Sequence, residues 1–379
     1  MKIAYVRLWD DHHVSIKMRS NYFKAKCLVD NSLELTYVGP FHEKYQKYFN
    51  AKQKIYALFK RNYEKLREPV ILKSFADQIQ DKLSKLDVDI VFSHSSIPVS
   101  LLKCPQPIVF WVDATFAGMV DFYPEFSNLS QESLRKGNAQ EQAALTNCSL
   151  AIYSSEWAAE TAVKNYQVDS AKIRVVPFGA NLPCDRTEED ILNFLKLRSP
   201  KMCKLLFFGV DWYRKGGDLA LELAGILNKN GLPTELSIIG CDPLVHEALP
   251  EFVKMYGFIN KTSRPGLAKI EEILAKTHFL IHPARAEAAA CVLSEANSFG
   301  VPCLVADVGG VSTPIKNDIN GRLFPRNCSM EAYADFVLDI FSDYNKYNEL
   351  AMSSFQAYQS RLNWNVAGLT VKNMLAELI

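Results

Sequence analysis

Short apolar runs alternate with longer segments of helical periodicity along most of the chain. Helix-like stretches, such as 127–147 and 156–166, separate the apolar runs of the first half, which lie at 2–8, 89–94, 107–113, 150–155 and 173–181. Short runs without polar alternation are typical of strands that are buried on both faces of a parallel sheet. The first half is therefore predicted to be a parallel sheet whose strands are joined by helices.

A second series of the same kind begins near residue 204. Strands are predicted at 204–210, 235–240, 278–284 and 302–307, and helices at 216–230 and 291–299. Two such series predict an α/β protein with two doubly wound, Rossmann-like domains that face a central cleft. Because ligands of such sheets bind at the carboxyl ends of the strands, candidate chemistry is sought there.

The polar segment 182–200, which contains Pro183 and Pro200, is predicted to be the linker between the two domains. We place the boundary inside it, so that 1–184 forms the first domain and 185–361 forms the second.

Composition removes several classes of function. The 43 Lys and Arg residues nearly balance the 42 Asp and Glu residues, and a net charge of +1 gives no reason to expect a nucleic-acid partner. The nine cysteines form no C-x-x-C pair and predict reduced thiols in a cytoplasmic protein. No apolar stretch approaches the roughly 20 residues of a membrane span, and the N-terminus is predicted to be a strand and not a signal peptide.

Three loops that follow strands carry candidate chemistry. In the first, "FFGVDWYRKGGD" at 207–218, Arg214 and Lys215 stand between a strand end and a predicted helix start, where a basic pair could clamp a diphosphate. An ordinary basic turn is the alternative, and the spacing is not that of a Walker loop. The third loop, "ADVGGVSTPI" at 306–315, could present N–H donors from Gly309 and Gly310, or it could be a tight turn.

The middle loop, "HPARAEAAACVLSE" at 282–295, carries two glutamates. Glu287 lies before a predicted helix and Glu295 lies about two helical turns further on. Carboxylates accept paired hydrogen bonds from sugar hydroxyls, and the alanines between them would leave backbone N–H groups open to a ligand. The alternative is a helix-capping Glu287 with a solvated Glu295.

Taken together, the three loops resemble the donor-binding half of glycosyltransferase family 4, which has the GT-B fold. The stretch 285–311 resembles the E-x7-E signature of that family, followed by its G-x-P strand and Gly-Gly loop. The resemblance is strong over 204–325 and moderate over 107–181. It implies a retaining, metal-independent glycosyltransferase. The donor would be a UDP- or GDP-linked sugar, and the acceptor a hydroxyl of a glycan, glycolipid or small molecule.

The resemblance also implies residue roles. Glu287 would face the hydroxyls of the transferred sugar, Glu295 would hold the ribose of the nucleotide, and Arg214 and Lys215 would contact the diphosphate. Asp113 stands where many members carry a histidine beside the reacting sugar, so it is expected to complete the catalytic set. Donor binding is expected from Gly209, Arg214, Lys215, Ala290, Cys291, Glu295 and Gly310. Many members have arginine where this chain has Val210, and Arg214 is expected to supply that charge.

The resemblance further implies that 362–379 returns as a helix to the first domain, and that 7–17 forms an acceptor loop unlike the usual one. Two alternatives in function stay open. One is a protein that binds a nucleotide sugar without transferring it, and the other is a GT-B-fold epimerase or phosphorylase.

Three smaller signals have two interpretations each. "DVD" at 87–89 matches a metal-binding pattern, although a loop before a strand is favoured. The basic and aromatic stretch 41–68 is either a helix that contacts an anionic membrane or a solvated helix that packs on the first domain. His94 either faces the cleft or lies in the core. We therefore expect a cytoplasmic protein, with peripheral contact to the cytoplasmic face of the membrane as an open alternative.

Overall fold

The computed structural model describes residues 1–8, 19–244 and 248–379. The chain divides into two compact units, one made of Met1–Pro177 with Trp364–Ile379 and the other of Phe178–Asn363. From residue 9 onward, the acceptor loop expected at 7–17 lies outside the described residues.

The first unit contains a parallel sheet in the order β2-β1-β3-β4-β5-β6. Its strands are β1 Lys2–Val6, β2 Glu34–Val38, β3 Ile90–Ser93, β4 Ile108–Val112, β5 Leu150–Tyr153 and β6 Ile173–Val175. The helices before residue 177 are α1 Arg19–Asp30, α2 Gln46–Leu58, α3 Pro69–Leu83, α4 Phe116–Met119, α5 Gln131–Asn147 and α6 Glu156–Asn165. The central strands β3, β4 and β5 are buried at every position, as their unbroken apolar runs predict.

The second unit contains a parallel sheet in the order β12-β11-β10-β7-β8-β9. Its strands are β7 Cys203–Phe208, β8 Thr234–Ile239, β9 Val253–Met255, β10 Phe279–His282, β11 Cys303–Asp307 and β12 Gly321–Pro325. Its helices are α7 Glu188–Leu197, α8 Gly217–Lys229, α9 Arg264–Lys276, α10 Cys291–Asn297, α11 Met330–Ser342 and α12 Tyr344–Arg361. The chain starts at β7, runs outward to β9, and returns to β10 beside β7, so the strand order reverses between β7 and β10.

The final helix, α13 Trp364–Ala376, belongs to the first unit and packs against α1. The ring of Trp364 stacks on Phe23 and meets Trp111 edge-on. Gly368 allows the close approach, because a Cβ at this position would lie 2.6 Å from the carbonyl oxygen of Cys27.

The segment predicted to be a linker is folded into the second unit. The helix α7 starts with a capping box, in which Thr187 and Asp190 bond each other's backbone N–H groups, and it buries Ile191 completely. Leu182 lies in the same apolar core as Leu206 and Leu280. The expected boundary at 184/185 is therefore too late: the division falls at 177/178, because the apolar residues that follow it pack on the second unit.

The buried Arg198 explains why a polar segment is fixed in this place. Its guanidinium donates to the carbonyls of Phe299 and Gly300, each at 2.7 Å, and to those of Leu274 and Ala275. These carbonyls lie at the C-terminal ends of α9 and α10, where the last carbonyls of a helix have no N–H group of the same helix to bond them. One side chain from the segment predicted to be a linker thus closes two helix ends.

The stretch 41–68 is not one helix. The helix α2 ends at Leu58, and a turn and a short 3-10 helix at Lys65–Arg67 follow it. Phe49 and Tyr63 are buried in the core of the first unit, whereas Tyr48 and Leu58 are exposed. In the described part of the chain, no helix is both long and apolar enough to cross a membrane.

Candidate functional site

Two loops meet where the strand order of the second sheet reverses. The loop 209–216 follows β7, and the loop 283–290 follows the neighbouring strand β10. The N–H of Arg285 donates to the carbonyl of Arg214 at 2.8 Å, and its guanidinium donates to the carbonyl of Tyr213 at 2.6 Å. Two further bonds from Arg285 reach the carboxylate of Asp218 on α8, at 2.8 and 2.6 Å. Arg285 thus fixes one loop against the other at the position where open α/β sheets bind ligands.

The glycine pair of the first loop serves packing. Gly216 has φ of 78°, and a Cβ there would lie 2.2 Å from the carbonyl oxygen of Pro283. A Cβ on Gly217 would lie 2.1 Å from the indole ring of the buried Trp212. Gly216 lets the two loops touch and Gly217 leaves room for the Trp212 ring, so the small size of both is explained without a ligand.

Glu287 is the centre of a charged cluster. Its carboxylate oxygen Oε2 accepts from Lys215 Nζ and lies 3.2 Å from His282 Nε2. The guanidinium of Arg214 is 3.9 Å from the same oxygen and donates to the carbonyl of Ala286 at 3.0 Å. Asp211 orients Arg214 in turn, through Nε at 3.2 Å. The residues predicted to clamp a diphosphate are therefore brought together with the glutamate predicted to face the sugar.

Glu287 and His282 have shifted pKa values. Burial alone would raise the pKa of Glu287, but Lys215 and the bond from His282 outweigh it and hold that pKa well below its usual range. Burial lowers the pKa of His282 below its ordinary value, although the bond to Glu287 acts the other way. His282 is therefore neutral at pH 7, and it donates its Nε2 proton, because a carboxylate only accepts.

Glu295 lies on α10, in the turn after the helix start, and is 1 % exposed. Lys261 Nζ donates to its Oε2. Ser294 and Leu293 beside it are also buried, so this side of α10 belongs to the core. The alternative of a solvated Glu295 is contradicted by this burial.

Two expectations concern the backbone of the loops. Ala288 and Ala290 are buried and Ala289 is half-buried, so the alanine run is partly covered. The expectation that Gly310 presents its N–H to a ligand is wrong, since this N–H donates to the carbonyl of Glu287 at 2.9 Å. Gly310 instead holds the loop that carries the glutamate. The helix α10 starts without a side-chain cap, because its N-cap residue is Ala290, and Cys291 is its first residue.

Gly209 is buried directly after β7, where a Cβ would lie 3.1 Å from the Cγ of Lys215. Its size lets the lysine stem run alongside the backbone toward Glu287. Val210, where many family members have arginine, is exposed.

In the first unit, Asp113 follows β4 directly and is exposed. His94 follows β3 and is buried, with its ring 6.4 Å from that of Tyr5. Within the described residues neither ring nitrogen of His94 has a hydrogen-bond partner. Burial lowers the pKa of His94 to about 3, with Lys24 adding to the effect, so the ring is neutral. The His94 side chain thus lies among the buried residues of the first unit.

The "DVD" motif is explained by contacts with the first strand. Asp87 pairs with the Lys2 ammonium at 2.6 Å, and Asp89 accepts from the Lys2 backbone N–H at 2.7 Å. Among residues 1–8, 19–244 and 248–379, no three His, Cys, Asp or Glu side chains come together as metal ligands. All nine cysteines lie in these ranges, and all are free thiols.

Sequence reasoning missed His282, Arg285 and Lys261. His282 left a signal, since it is a polar residue that ends a buried strand and lies five positions before a candidate glutamate. Arg285 and Lys261 left none, because their partners are 67 and 34 residues away in the chain.

Comparison with known families gives two matches, one in each half of the chain. A family model described as glycosyltransferase family 4 matches residues 22–182, and one described as glycosyl transferases group 1 matches residues 194–356. The second match contains both loops of the site. The chain belongs to glycosyltransferase family 4, and its fold is GT-B.

Particular relatives cover part of the chain. The lipopolysaccharide glucosyltransferase WaaG of Escherichia coli K12 is 27 % identical over 217 residues, which are 55 % of each protein. A D-inositol 3-phosphate glycosyltransferase of Xylanimonas cellulosilytica is 24 % identical over 261 residues, which are 60 % of this chain and 56 % of the relative. The chain thus spans about half the length of the curated relatives it matches.

Solved structures match over the whole length. A crystal structure of WaaG has a TM-score of 0.63 at 17 % identity, covering 99 % of both chains. Anabaena Alr3699/HepE in complex with UDP-glucose has a TM-score of 0.64 at 15 % identity, covering 100 % of both chains. At these identities the likeness is one of fold.

Proposed function

We propose that this protein is a retaining glycosyltransferase that moves a hexose from a nucleotide-diphosphate sugar to a hydroxyl acceptor. The observation that carries the proposal is the cluster of Lys215, Arg214 and Glu287 at the reversal point of the second sheet. A UDP-linked donor is the first candidate, because UDP-glucose is bound by a protein of the same fold. A GDP-linked sugar is the second candidate for the donor.

The proposed chemistry follows from where charge develops. When the glycosidic bond of the donor breaks, negative charge accumulates on the departing diphosphate. Arg214 and Lys215 are held in place before the reaction by Asp211 and Glu287, so they stabilise this charge without reorganisation and without a metal ion. Glu287 orients the sugar through its hydroxyls.

In the retaining path, the acceptor hydroxyl attacks the face from which the diphosphate leaves. The departing phosphate oxygen takes the proton of the acceptor hydroxyl, so no separate general base is needed. Asp113 is proposed to polarise the reacting hydroxyl, and the first unit is proposed to bind the acceptor. The name of the relative WaaG suggests a glycolipid acceptor.

The test begins with thermal shift against UDP, GDP and their sugars, because a ligand that binds the native state raises the melting temperature, and at equal concentration a tighter ligand raises it more. Transfer to lipid and soluble acceptors is then measured for Glu287→Ala and for the double Arg214→Ala/Lys215→Ala variant. Lys269→Ala, which removes an exposed lysine of α9, is the matched control. Unchanged transfer in both site variants would refute the assignment of the site.

The same assay separates the alternative functions. Binding of the donor without turnover, across broad acceptor pools, would indicate a nucleotide-sugar-binding protein. Free sugar isomers formed from donor alone would indicate an epimerase, and a product that depends on phosphate would indicate a phosphorylase.

We further propose that the surface of α2 and its ends contacts an anionic membrane. This surface, the α2 patch, exposes five apolar side chains: Tyr45, Tyr48, Ile55, Leu58 and Phe59. From 44 to 61 the chain has six Lys and Arg residues and no Asp or Glu. Aromatic and aliphatic groups beside basic ones suit the interface of a bilayer that carries negative lipids.

Sedimentation with vesicles tests the α2 patch. Vesicles with anionic lipid should bind the protein, zwitterionic vesicles should bind it weakly, and added salt should release it. Leu58→Ser/Phe59→Ser should weaken binding, whereas Leu192→Ser/Leu197→Ser, which removes two exposed leucines of α7, should not. Equal binding by both double variants would contradict the proposal.

A further inference from the structure

The second glutamate of the E-x7-E pair has a lysine partner to which the family resemblance assigns no role. Lys261, in the loop between β9 and α9, donates from Nζ to Oε2 of Glu295. The lysine side chain is 17 % exposed and the glutamate side chain 1 %. A carboxylate in the core is costly without a counter-charge. Lys261 therefore supplies the charge that lets Glu295 occupy this position.

The ammonium of Lys261 is fixed from a second direction. Its Nζ lies 4.3 Å from the centroid of the Phe208 ring, and Phe208 is the last residue of β7. A cation over an aromatic face is attracted to the ring electrons. Lys261 thus joins three elements that converge on the switch point: the end of β7, the loop before α9, and α10.

The contact uses only one oxygen of Glu295. Within the described part of the chain, no hydrogen bond or ion pair reaches Oε1 of this carboxylate. An ionised carboxylate oxygen can accept two hydrogen bonds. The geometry leaves Oε1 as an acceptor, and the family resemblance implies that Glu295 holds the ribose hydroxyls of the donor.

We propose that Lys261 is the positioning residue of the nucleoside subsite. It holds Oε2 of Glu295, and Oε1 then accepts from the ribose hydroxyls of the donor. This inference rests on the proposed function and on the ribose contact that the family resemblance implies for Glu295. Its own claim is that the selection of ribonucleotides over deoxyribonucleotides depends on Lys261.

The experiment measures discrimination and not affinity alone. Dissociation constants of UDP and GDP, and of their 2′-deoxy and 3′-deoxy forms, are determined by calorimetry. Wild type should prefer the ribonucleotide by about tenfold or more per hydroxyl, as expected of a hydrogen bond to a charged group. Lys261→Met should bring this ratio close to one. Lys261→Arg, which keeps the charge and the donor, should retain most of it.

The controls separate positioning from folding. Lys269→Met removes an exposed lysine of α9 that pairs with Glu272, and it should leave the ratio unchanged. If Lys261→Met does not fold, Lys261→Gln replaces it, because an amide still donates but carries no charge, and it should show a reduced ratio. A purely structural lysine would weaken binding of all nucleotides equally and leave the ratio intact.

Each outcome of this experiment either supports the role of Lys261 or overturns it. If Lys261→Met, or Lys261→Gln in its place, keeps the wild-type ratio, the role of Lys261 is overturned. This holds even if Arg214→Ala/Lys215→Ala abolishes nucleotide binding and so supports the proposed function. If wild type binds neither UDP nor GDP, the proposed function fails, and the role of Lys261 fails with it.

Discussion

Removal of Glu287 should affect stability and transfer in different ways, and a second substitution should separate the two. Glu287→Leu leaves the Lys215 ammonium, whose side chain is 14 % exposed, without its carboxylate. Breaking one side of a buried ion pair costs about 3–5 kcal/mol, and the residual exposure of Lys215 favours the lower end, about 3 kcal/mol. For a domain of this size, that corresponds to a fall in melting temperature of about 6–12 °C.

The double variant Glu287→Leu/Lys215→Met removes both charges. Replacement of a whole buried ion pair by apolar groups is often neutral, so at least half of the lost stability, about 1.5 kcal/mol, should return. Transfer should stay absent, because the sugar has lost Glu287 and the diphosphate has lost one of its two cations, Lys215. Denaturant unfolding gives the free energies and a donor-turnover assay gives transfer. A double variant that loses the sum of both single losses would refute the coupling, and one that regains transfer would refute the catalytic role.

Three further predictions concern the scaffold of the site. Arg198→Met should lower the free energy of unfolding by about 3 kcal/mol or more, since it leaves several buried carbonyls without a donor. Denaturant unfolding measures this loss. As a control, Lys196→Met on the exposed side of α7 should cost no more than about 0.5 kcal/mol. Gly217→Ala should reduce donor binding and stability because its Cβ meets the Trp212 ring, whereas Gly225→Ala, with open space around it in α8, should be neutral or stabilising by up to about 1 kcal/mol in a thermal melt. Burial lowers the pKa of His278 to about 3 from its ordinary 6.5, so the unfolded chain takes up this proton first. The stability that the neutral ring contributes is complete above pH 6.5 and is lost as pH falls toward 3, by up to about 1.4 kcal/mol per pH unit. A His278→Phe variant should therefore show a shallower acid dependence of unfolding than wild type.

The strands at the edges of the two sheets show the limit of a prediction from the apolar pattern. The sequence predicts β1, β3, β4, β5, β6, β7, β8, β10 and β11, all of which the structure contains, because strands buried in a parallel sheet carry continuous apolar runs. It misses β2, β9 and β12, whose positions are mostly exposed or half-buried at the edges of the sheets. An edge strand can carry polar residues, and therefore its pattern differs little from that of a loop.

The segment 182–200 shows a different limit. Its charge and its prolines suggest a linker, yet Thr187, Asp190 and Arg198 are polar for structural reasons, as a helix cap and as donors to distant carbonyls. Only the fold supplies the partners that turn a polar residue into a buried one.

By itself, the sequence determined the two parallel sheets and the family, because apolar runs and the E-x7-E spacing are local patterns. It also placed Arg214, Lys215 and Glu287 on neighbouring loops, since the carboxyl ends of parallel strands lie at one edge. The tertiary structure decided which partners these residues have: His282 and Lys215 on one oxygen of Glu287, Lys261 on Glu295, and the Gly310 N–H on a backbone carbonyl. Most of these contacts join residues far apart in the chain, and the energy of each depends on burial, which a local pattern does not contain.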